Sequence, residues 1–236
     1  HFICIGDMKF EFYHYLSIIT SNNIQKPDKI FVYIENEPIH NVYWNSIKSY
    51  ITIVKITPPD IFRGKILNSY PYKADIIRME KLLSQGGIYL DIDILTLKSF
   101  GNLLDKYSCV VGAETSKTTS DTTDIENIGS ITNAVLLCEP NHPFIQKWYD
   151  NIADNLEGKP WAWHAVCLPS KILLDDKNGK KEFVDNVKIE PLKSFMPFCF
   201  RDDYIFQSDS KNRIMELSDT YTIHLWQNIW SDRLKR

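Results

Sequence analysis

The segment that decides the fold reads GGIYLDID over residues 86–93. It follows residues 74–84, where apolar side chains recur every three or four positions, as they do on one face of a helix. The two glycines end this helix as a C-terminal cap would, and residues 88–90 form a short apolar run typical of a buried strand. The sequence therefore predicts a helix, a tight turn and a strand that ends at Asp91 and Asp93.

The rest of the chain repeats this alternation of short apolar runs and helical patterns. The predicted strands cover residues 2–5, 29–34, 51–56, 109–112, 131–137, 188–190 and 221–226. The predicted helices cover residues 8–21, 42–49, 142–156 and 168–174. Such alternation is typical of βαβ units. We therefore predict an α/β fold, with one domain over residues 1–236 and a Rossmann-like, mainly parallel sheet flanked by helices.

Composition excludes several classes of protein. A chain of 236 residues with 44% hydrophobic content can bury a substantial core. Its net charge of -3, without a Lys/Arg-rich run, argues against nucleic acid as a partner. No apolar stretch approaches the roughly 18 to 20 residues that a membrane span needs. The five cysteines never follow a CxxC spacing, which argues against a zinc site and favours reduced thiols.

The cellular location is only weakly determined. The chain begins at His1 rather than Met, so a preceding segment with a signal or an anchor would be invisible in it. Reduced thiols and the absence of an Asn-x-Ser/Thr acceptor site favour the cytoplasm. A Golgi or membrane-anchored protein stays open as the alternative.

Asp91 and Asp93 carry the chemistry of the opening segment. Side chains two positions apart on an extended backbone point to the same side, so both carboxylates can face one ion. Mg²⁺ and Mn²⁺ take oxygen ligands and are often held by one or two carboxylates plus substrate phosphates. Open α/β sheets also bind ligands at the carboxyl ends of their strands. The pair therefore predicts a metal diphosphate site.

The wider context, KADIIRMEKLLSQGGIYLDID over residues 73–93, resembles the DxD-containing glycosyltransferases of family 32 and their relatives. Those proteins show an Asp and an Arg three apart on a helix, then Gly-Gly, an aromatic residue and the DxD. The resemblance implies a GT-A fold, a retaining transfer from a nucleotide sugar, and dependence on Mn²⁺ or Mg²⁺. Asp93 matches the direct metal ligand, and Asp91 matches the acid that contacts the ribose, or the metal through water. We take these two as the catalytic candidates.

Asp75 and Arg78 match the pair that binds the hydroxyls of the donor sugar in the same family. From spacing alone there is another interpretation, because residues three apart share a helix face and can form an ordinary ion pair. We favour donor binding because the rest of the motif is present.

A second resemblance lies at residues 224–226, which read HLW. It is similar to the His-x-Trp near the C-terminus of the α1,4-galactosyltransferase branch, where the His neighbours the metal diphosphate. It implies that His224 is a metal ligand and that Trp226 contacts the donor, and an imidazole ligand favours Mn²⁺ over Mg²⁺. The alternative is a histidine packed beside a core tryptophan.

Two further stretches are similar to the family. Residues 2–6 look like its first strand, which makes Ile3 a candidate contact for the nucleotide base, although relatives usually carry Trp where Cys4 stands. Asn133 looks like a donor contact. We expect residues 1–112 to form the nucleotide-sugar-binding half. We expect residues 113–236 to form the acceptor-side half with the C-terminal metal segment, and the polar loop at 115–127 to act as a lid or binding loop.

The sequence thus predicts a metal-dependent retaining glycosyltransferase. It would move a hexose, from a UDP-hexose rather than GDP-mannose, to a hydroxyl of a carbohydrate, glycoprotein or glycolipid acceptor. One alternative is an inactive homologue or a sugar-binding module that keeps the scaffold. A DxD phosphatase of the haloacid dehalogenase type is disfavoured, because its first Asp lies on the first strand and here the motif comes some 90 residues later.

Overall fold

The predicted strands and helices are all present in the computed structural model, with ends shifted by a few residues. The structure describes residues 1–116, 128–174, 183, 185–202 and 217–234. The strands are β1 Phe2–Cys4, β2 Phe31–Ile34, β3 Thr52–Lys55, β4 Ile61–Phe62, β5 Lys65–Ile66, β6 Gly87–Leu90, β7 Ile94–Thr96, β8 Cys109–Ser116, β9 Ile128–Cys138, β10 Lys188–Glu190 and β11 Thr222–His224. The helices are α1 Phe12–Gln25, α2 Val42–Ile47, α3 Tyr70–Gln85, α4 Gly101–Leu104, α5 Pro143–Asn151, α6 Leu168–Leu174, α7 Leu192–Phe195 and α8 Gln227–Leu234. The core of the predicted loop, residues 117–127, lies outside the described residues.

A three-stranded sheet of order β3-β2-β1 and a four-stranded sheet of order β6-β9-β8-β10 lie edge to edge and form the central sheet. The first three strands are parallel, β9 pairs antiparallel with both β6 and β8, and β10 is parallel to β8. His1 joins the two parts of the sheet, because its amino group donates to the Ile88 carbonyl at 2.7 Å and its carbonyl accepts from the Leu90 N–H at 3.1 Å. In this order β9 runs against the other six strands. The predicted α/β fold with a mainly parallel sheet is confirmed.

Hydrophobic residues cover both faces of this sheet. Along β1 and the residue after it, Ile3 and Ile5 belong to the cluster that packs under α3 and α5, whereas Phe2 and Cys4 belong to the cluster that packs under α1 and α2. This alternation follows from the two-residue repeat of a strand. It sends Cys4 away from the side that Ile3 faces.

The turn between α3 and β6 depends on Gly86. Its backbone angles, φ 64° and ψ -158°, lie in a region that is open essentially only to glycine. A Cβ atom at this position would also lie 2.6 Å from the backbone nitrogen of Pro140. Gly86 therefore lets the chain leave the helix and enter the central sheet at once.

The two aspartates lie in a turn, so the extended backbone that we expected for residues 91–93 is wrong. The Asp91 N–H still donates to the Ala134 carbonyl of β9 at 2.9 Å, but the Asp91 carbonyl accepts from the Ile94 N–H at 3.0 Å and closes a turn. The chain continues into β7, which pairs antiparallel with β11 and sets Ile94 opposite His224. This pairing brings the C-terminal segment to the aspartates.

Candidate active site

One cavity of about 1010 Å³ lies where β1 and β6 end. Its walls come from both halves of the chain, and its volume is that of a site for a small molecule. All of the site residues predicted from the sequence line it: Ile3, Asp75, Arg78, Asp91, Asp93, Asn133, His224 and Trp226.

Asp91, Asp93 and His224 form a cluster that could hold a metal ion. Each offers one ligand atom, and these atoms all lie within 4.8 Å of one another. The Nε2 atom of His224 is 3.3 Å from Oδ2 of the buried Asp93. Burial raises the pKa of Asp91, and the repulsion by Asp93 adds to this rise. The structure therefore brings together two carboxylates whose mutual repulsion a bound cation would relieve.

The protonation of Asp93 and His224 follows from their contact. Burial opposes the charge of Asp93, but the nearby imidazole and the Gln227 N–H outweigh it and lower the pKa of Asp93. Burial likewise opposes the charge of His224, but Asp93 outweighs it and raises the pKa of the imidazole. Each group thus favours the charged form of the other.

The chemistry of this cluster fits a divalent metal ion. Two carboxylate oxygens and an imidazole nitrogen suit Mn²⁺, which accepts both kinds of ligand. The Nδ1 atom of His224 is buried and has no hydrogen-bond partner among the described residues. The donor set therefore agrees with the prediction of a metal site.

Helix α8 holds Asp93 from the other side. The Gln227 N–H, at the first residue of this helix, donates to Asp93 Oδ2 at 2.8 Å. The Gln227 side chain is fixed by His14, whose Nε2 lies 2.6 Å from Gln227 Oε1. Because His14 Nδ1 accepts from the Glu11 N–H at 2.8 Å, its Nε2 carries the proton and donates. His14 is a supporting residue that the sequence did not reveal, since it lies far from the motif along the chain.

Arg78 is buried at the centre of a second network. Its guanidinium lies 3.0 Å from Asp75 Oδ1 and 3.2 Å from Asp91 Oδ1, and it donates to the Asn133 carbonyl at 2.6 Å. The Asn133 side-chain amide donates to Asp75 Oδ1 at 2.8 Å. The ion pair that the helix spacing allows is therefore present. It is not an exposed pair on a helix surface, because both partners are buried in the cavity wall beside the DxD.

His164 and Tyr89 complete this network and were missed from the sequence. His164 Nε2 lies 2.8 Å from Asp75 Oδ2. The Tyr89 hydroxyl donates to Asp91 Oδ1 at 2.6 Å. Tyr89 could have been suspected as the aromatic residue of the motif. His164 belongs to a π-helix at Trp163–Cys167, 89 residues after Asp75, and no local signal links the two.

Glu114 is a further carboxylate in the cavity wall that the sequence did not suggest. It lies on β8, and no group in the described ranges hydrogen-bonds to its carboxylate. Burial, with a smaller contribution from Asp91, raises the pKa of Glu114 to about 7, although His224 opposes the rise. Glu114 is therefore largely protonated below neutral pH in the metal-free protein.

This pKa predicts how Glu114→Gln changes stability. Between the unfolded value near 4.5 and the folded value of about 7, the folded state binds more protons, so the free energy of unfolding falls as pH rises through this window. Glutamine stays neutral, so we expect the variant to be more stable than wild type by roughly 1 to 3 kcal/mol near pH 8 and little changed near pH 4. Urea unfolding in the presence of a chelator measures both values.

Glu139→Gln provides the matched control, because Glu139 is exposed. A surface change of this kind should alter the free energy of unfolding near pH 8 by no more than about 0.5 kcal/mol. If Glu114→Gln and wild type have the same unfolding free energy at both pH values, burial does not hold Glu114 in its protonated form.

Two family models match the segments of the chain that carry the site residues. Residues 14–110 match the family model described as the glycosyltransferase sugar-binding region containing the DXD motif, and residues 137–235 match that of the alpha 1,4-glycosyltransferase conserved region. The first match contains Asp75, Arg78 and the DxD, and the second contains the HLW segment. The resemblance to DxD-containing glycosyltransferases is confirmed.

One curated relative is similar over nearly the whole chain. Glucan organizing enzyme 1 of Cryptococcus neoformans var. grubii is 27% identical over 219 residues, which are 92% of this chain and 57% of the relative. The chain thus spans little more than half the length of this relative.

Two solved structures share the fold. The PaToxG glycosyltransferase superposes with a TM-score of 0.52 at 19% identity, over 76% of this chain and 69% of its own. The galactosyltransferase LgtC, solved in complex with donor and acceptor sugar analogs, superposes with a TM-score of 0.51 at 16% identity, over 99% of this chain and 93% of its own. These similarities confirm the GT-A fold. Among the described residues, no helix has both the length and the apolar character needed to cross a bilayer.

Proposed function

We propose that this chain, a relative of the DxD-containing glycosyltransferases, transfers a hexose from a nucleotide sugar to a hydroxyl group of an acceptor. The observation that carries the proposal is the meeting of Asp91, Asp93 and His224 in the same cavity as the Asp75–Arg78 pair. One group suits a metal diphosphate and the other suits sugar hydroxyls. Their proximity supports a site that binds both parts of one nucleotide-sugar molecule.

Asp93, Asp91 and His224 would hold the metal ion, with Mn²⁺ favoured by the imidazole. When bound, the ion would neutralise the charge that develops on the leaving diphosphate. The protein's own part is to keep these ligands in place. Gln227 and His14 position Asp93, while Arg78 and Tyr89 position Asp91.

Asp75, Arg78 and Asn133 would bind the hydroxyls of the donor hexose. Asp75 is fixed by three neighbours, so its remaining lone pairs are aimed in advance, which reduces the entropy cost of binding. Arg78 spans from Asp75 to Asp91 and so couples the sugar pocket to the DxD. Ile3 and Ile5 offer an apolar wall for the nucleotide base, and Cys4, where relatives carry Trp, belongs to the opposite hydrophobic cluster.

The transfer we propose retains the configuration of the sugar. The bond from the donor's anomeric carbon to the diphosphate oxygen breaks, the acceptor oxygen bonds to that carbon, and the acceptor proton passes to the leaving diphosphate. This front-face route is supported by the contacts of Asp75, Asp91 and Asp93, because their carboxylates are engaged by neighbouring groups and none is a free nucleophile. A double displacement would need a free carboxylate, and Glu114 is the candidate. In the metal-free protein its pKa of about 7 leaves much of it protonated at neutral pH. A covalent glycosyl adduct trapped on Glu114 would overturn the front-face route.

The donor class is tested by thermal unfolding with UDP-galactose, UDP-glucose, GDP-mannose and a CMP-sugar, each with Mn²⁺ and with a chelator. We expect a UDP-hexose with Mn²⁺ to stabilise the protein, because a ligand at a hundred times its dissociation constant adds about 2.7 kcal/mol. For a chain of this size that corresponds to a rise in Tm of roughly 5 to 10 °C. The chelator should remove most of the rise.

Other outcomes of this experiment separate the alternatives. A rise with GDP-mannose instead would change the donor class and keep the site. Binding of a UDP-hexose without release of UDP when acceptors are supplied would support an inactive homologue. If no nucleotide raises Tm with Mn²⁺ present, the metal diphosphate site is wrong and a sugar-binding module gains support.

A further inference from the structure

Trp161 presents a large apolar ring to solvent at the rim of the cavity. It lines the cavity, yet 64% of its surface is exposed. Burying an aromatic side chain of this kind stabilises a fold by roughly 1.5 to 3 kcal/mol, and this chain does not use that gain. The segment around Trp161 is nevertheless ordered by hydrogen bonds, since the Trp163 N–H donates to the Pro160 carbonyl at 3.1 Å.

The backbone beside Trp161 is unusual in two ways. Ala162 has a φ of 58°, a left-handed conformation that costs a residue with a side chain about 1 to 2 kcal/mol. The π-helix at Trp163–Cys167 follows directly, and such turns occur frequently at functional sites. The segment that holds the indole ring at the rim therefore has a backbone conformation that is locally unfavourable in free energy.

A row of rings leads from Trp161 at the cavity rim to Asp75, and its last ring, the buried His164, lies behind the cavity wall. The Trp161 and Tyr72 rings stack with centroids 5.2 Å apart and planes 23° apart. Tyr72 meets the His164 ring edge-on at 4.6 Å, and His164 Nε2 contacts Asp75 Oδ2. Trp148 supports this row, because its indole N–H donates to the His164 carbonyl at 2.7 Å. The row thus ends at the carboxylate that we assign to the donor sugar.

We propose that Trp161 and Tyr72 form the acceptor subsite, and that the acceptor is a neutral pyranoside. The inference rests on the proposed function and deepens it. With the diphosphate at Asp91 and Asp93 and the donor hexose at Asp75, a ring platform on the solvent side of Asp75 lies where the acceptor must enter. Aromatic faces match the apolar C–H face of a pyranose ring.

The charge of the cavity supports an uncharged acceptor. Six residues with carboxyl groups line the cavity: Asp7, Glu11, Asp75, Asp91, Asp93 and Glu114. Of the two Lys or Arg side chains in the described part of the lining, Lys9 and Arg78, the guanidinium of Arg78 is already paired with two of these carboxylates. An acceptor that carries a phosphate or carboxylate would meet this acidic wall at low dielectric, where like charges repel strongly. A neutral sugar avoids that repulsion.

The test compares Trp161→Ala and Trp161→Phe with wild type. Tyr50→Ala is the control, because Tyr50 is also an exposed aromatic residue, at 48%, but lies outside the cavity wall. The acceptor probes are lactose, cellobiose and laminaribiose, with serine- and tyrosine-containing peptides as the non-sugar class. The measurements are KM and kcat for the acceptor, the Kd of UDP with Mn²⁺ by calorimetry, and saturation-transfer NMR of each disaccharide.

We expect Trp161→Ala to raise the acceptor KM by about tenfold or more, equivalent to about 1.4 kcal/mol of lost contact. The Kd of UDP with Mn²⁺ should stay within about twofold, while Trp161→Phe should keep most of the acceptor affinity. Saturation transfer to a disaccharide should occur in wild type and Tyr50→Ala and be lost in Trp161→Ala.

Three results would overturn the subsite. The first is an acceptor KM that is unchanged in Trp161→Ala. The second is saturation transfer to the disaccharides that is equal in Trp161→Ala and wild type, or absent from both. The third is enzymatic transfer of the sugar to a peptide but to no disaccharide. A failure of the proposed function gives a different result from a failure of the subsite. If the proposed function is wrong, UDP with Mn²⁺ does not bind to wild type, whereas the NMR measurement still decides whether Trp161 binds a sugar.

Discussion

Asp93→Asn is expected to remove metal-dependent donor binding and to lower the transfer rate by at least about a hundredfold, the range seen when one electrostatic contact to a transition state is lost. Asparagine keeps the shape and can still accept the Gln227 N–H, so helix α8 should stay in place. It lacks the negative charge that balances His224 and that a divalent ion requires. Calorimetry of UDP with Mn²⁺ and an assay of UDP release measure the two effects.

Asp105→Asn is the matched control for this change. Asp105 is an exposed residue at the end of α4 and lies outside the cavity wall, so binding and transfer should remain as in wild type. Circular dichroism should show that both variants are folded. If Asp93→Asn retains metal-dependent UDP binding, Asp93 is not a metal ligand and the assignment of the site is wrong.

Arg78→Met is expected to lower the free energy of unfolding by about 3 to 5 kcal/mol, the typical cost of removing one partner from a buried ion pair. The loss would leave Asp75 and Asp91 without their cation and the Asn133 carbonyl without its donor. Methionine fills a similar volume, so the change tests the charge and the hydrogen bonds more than the packing. Urea unfolding measures the cost, and donor binding should weaken in the same variant.

Arg63→Met is the control with the same chemical change. Arg63 forms an ion pair with Asp150 at 2.6 Å, but both side chains are more than 40% exposed. Exposed pairs contribute at most about 1 kcal/mol, so this variant should be nearly as stable as wild type.

Arg78→Lys should lower the free energy of unfolding by nearly as much as Arg78→Met, because a single ammonium cannot reach all the groups that the planar guanidinium bridges. A cost for Arg78→Met no larger than that for Arg63→Met would contradict the buried network.

The strands and helices were predictable because their signals are local. The apolar repeat of α3, the glycines that end it and the short run of β6 each act within a few residues. The ends were less certain, and α1 begins at Phe12 rather than at residue 8. The turn at Asp91–Asp93 was mispredicted, because the path after a strand depends on the partner of the next strand, here the distant β11.

The candidate site was predictable only where a motif named its residues. Asp75, Arg78, Asp91 and Asp93 are close in sequence and share a recognisable spacing. His14, Glu114 and His164 carry no such signal, because each comes from a different part of the fold. His14 and Glu114 line the cavity, whereas His164 supports Asp75 from behind the wall. A lone histidine or glutamate in a sequence is equally compatible with a surface or a core position.

The sequence by itself determined the α/β class, the helix-turn-strand unit that ends in two aspartates, and the resemblance to DxD-containing glycosyltransferases. The resemblance predicted a metal-ligand role for His224 beside the alternative of a packed histidine, and the structure places it against those aspartates. The tertiary structure alone decided that Arg78 is a buried bridge between Asp75 and Asp91, and that Trp161 lies at the rim of the same cavity. Local patterns are set by backbone geometry within a few residues. The meeting of distant side chains depends on strand pairing, above all that of β7 with β11, which no short segment encodes.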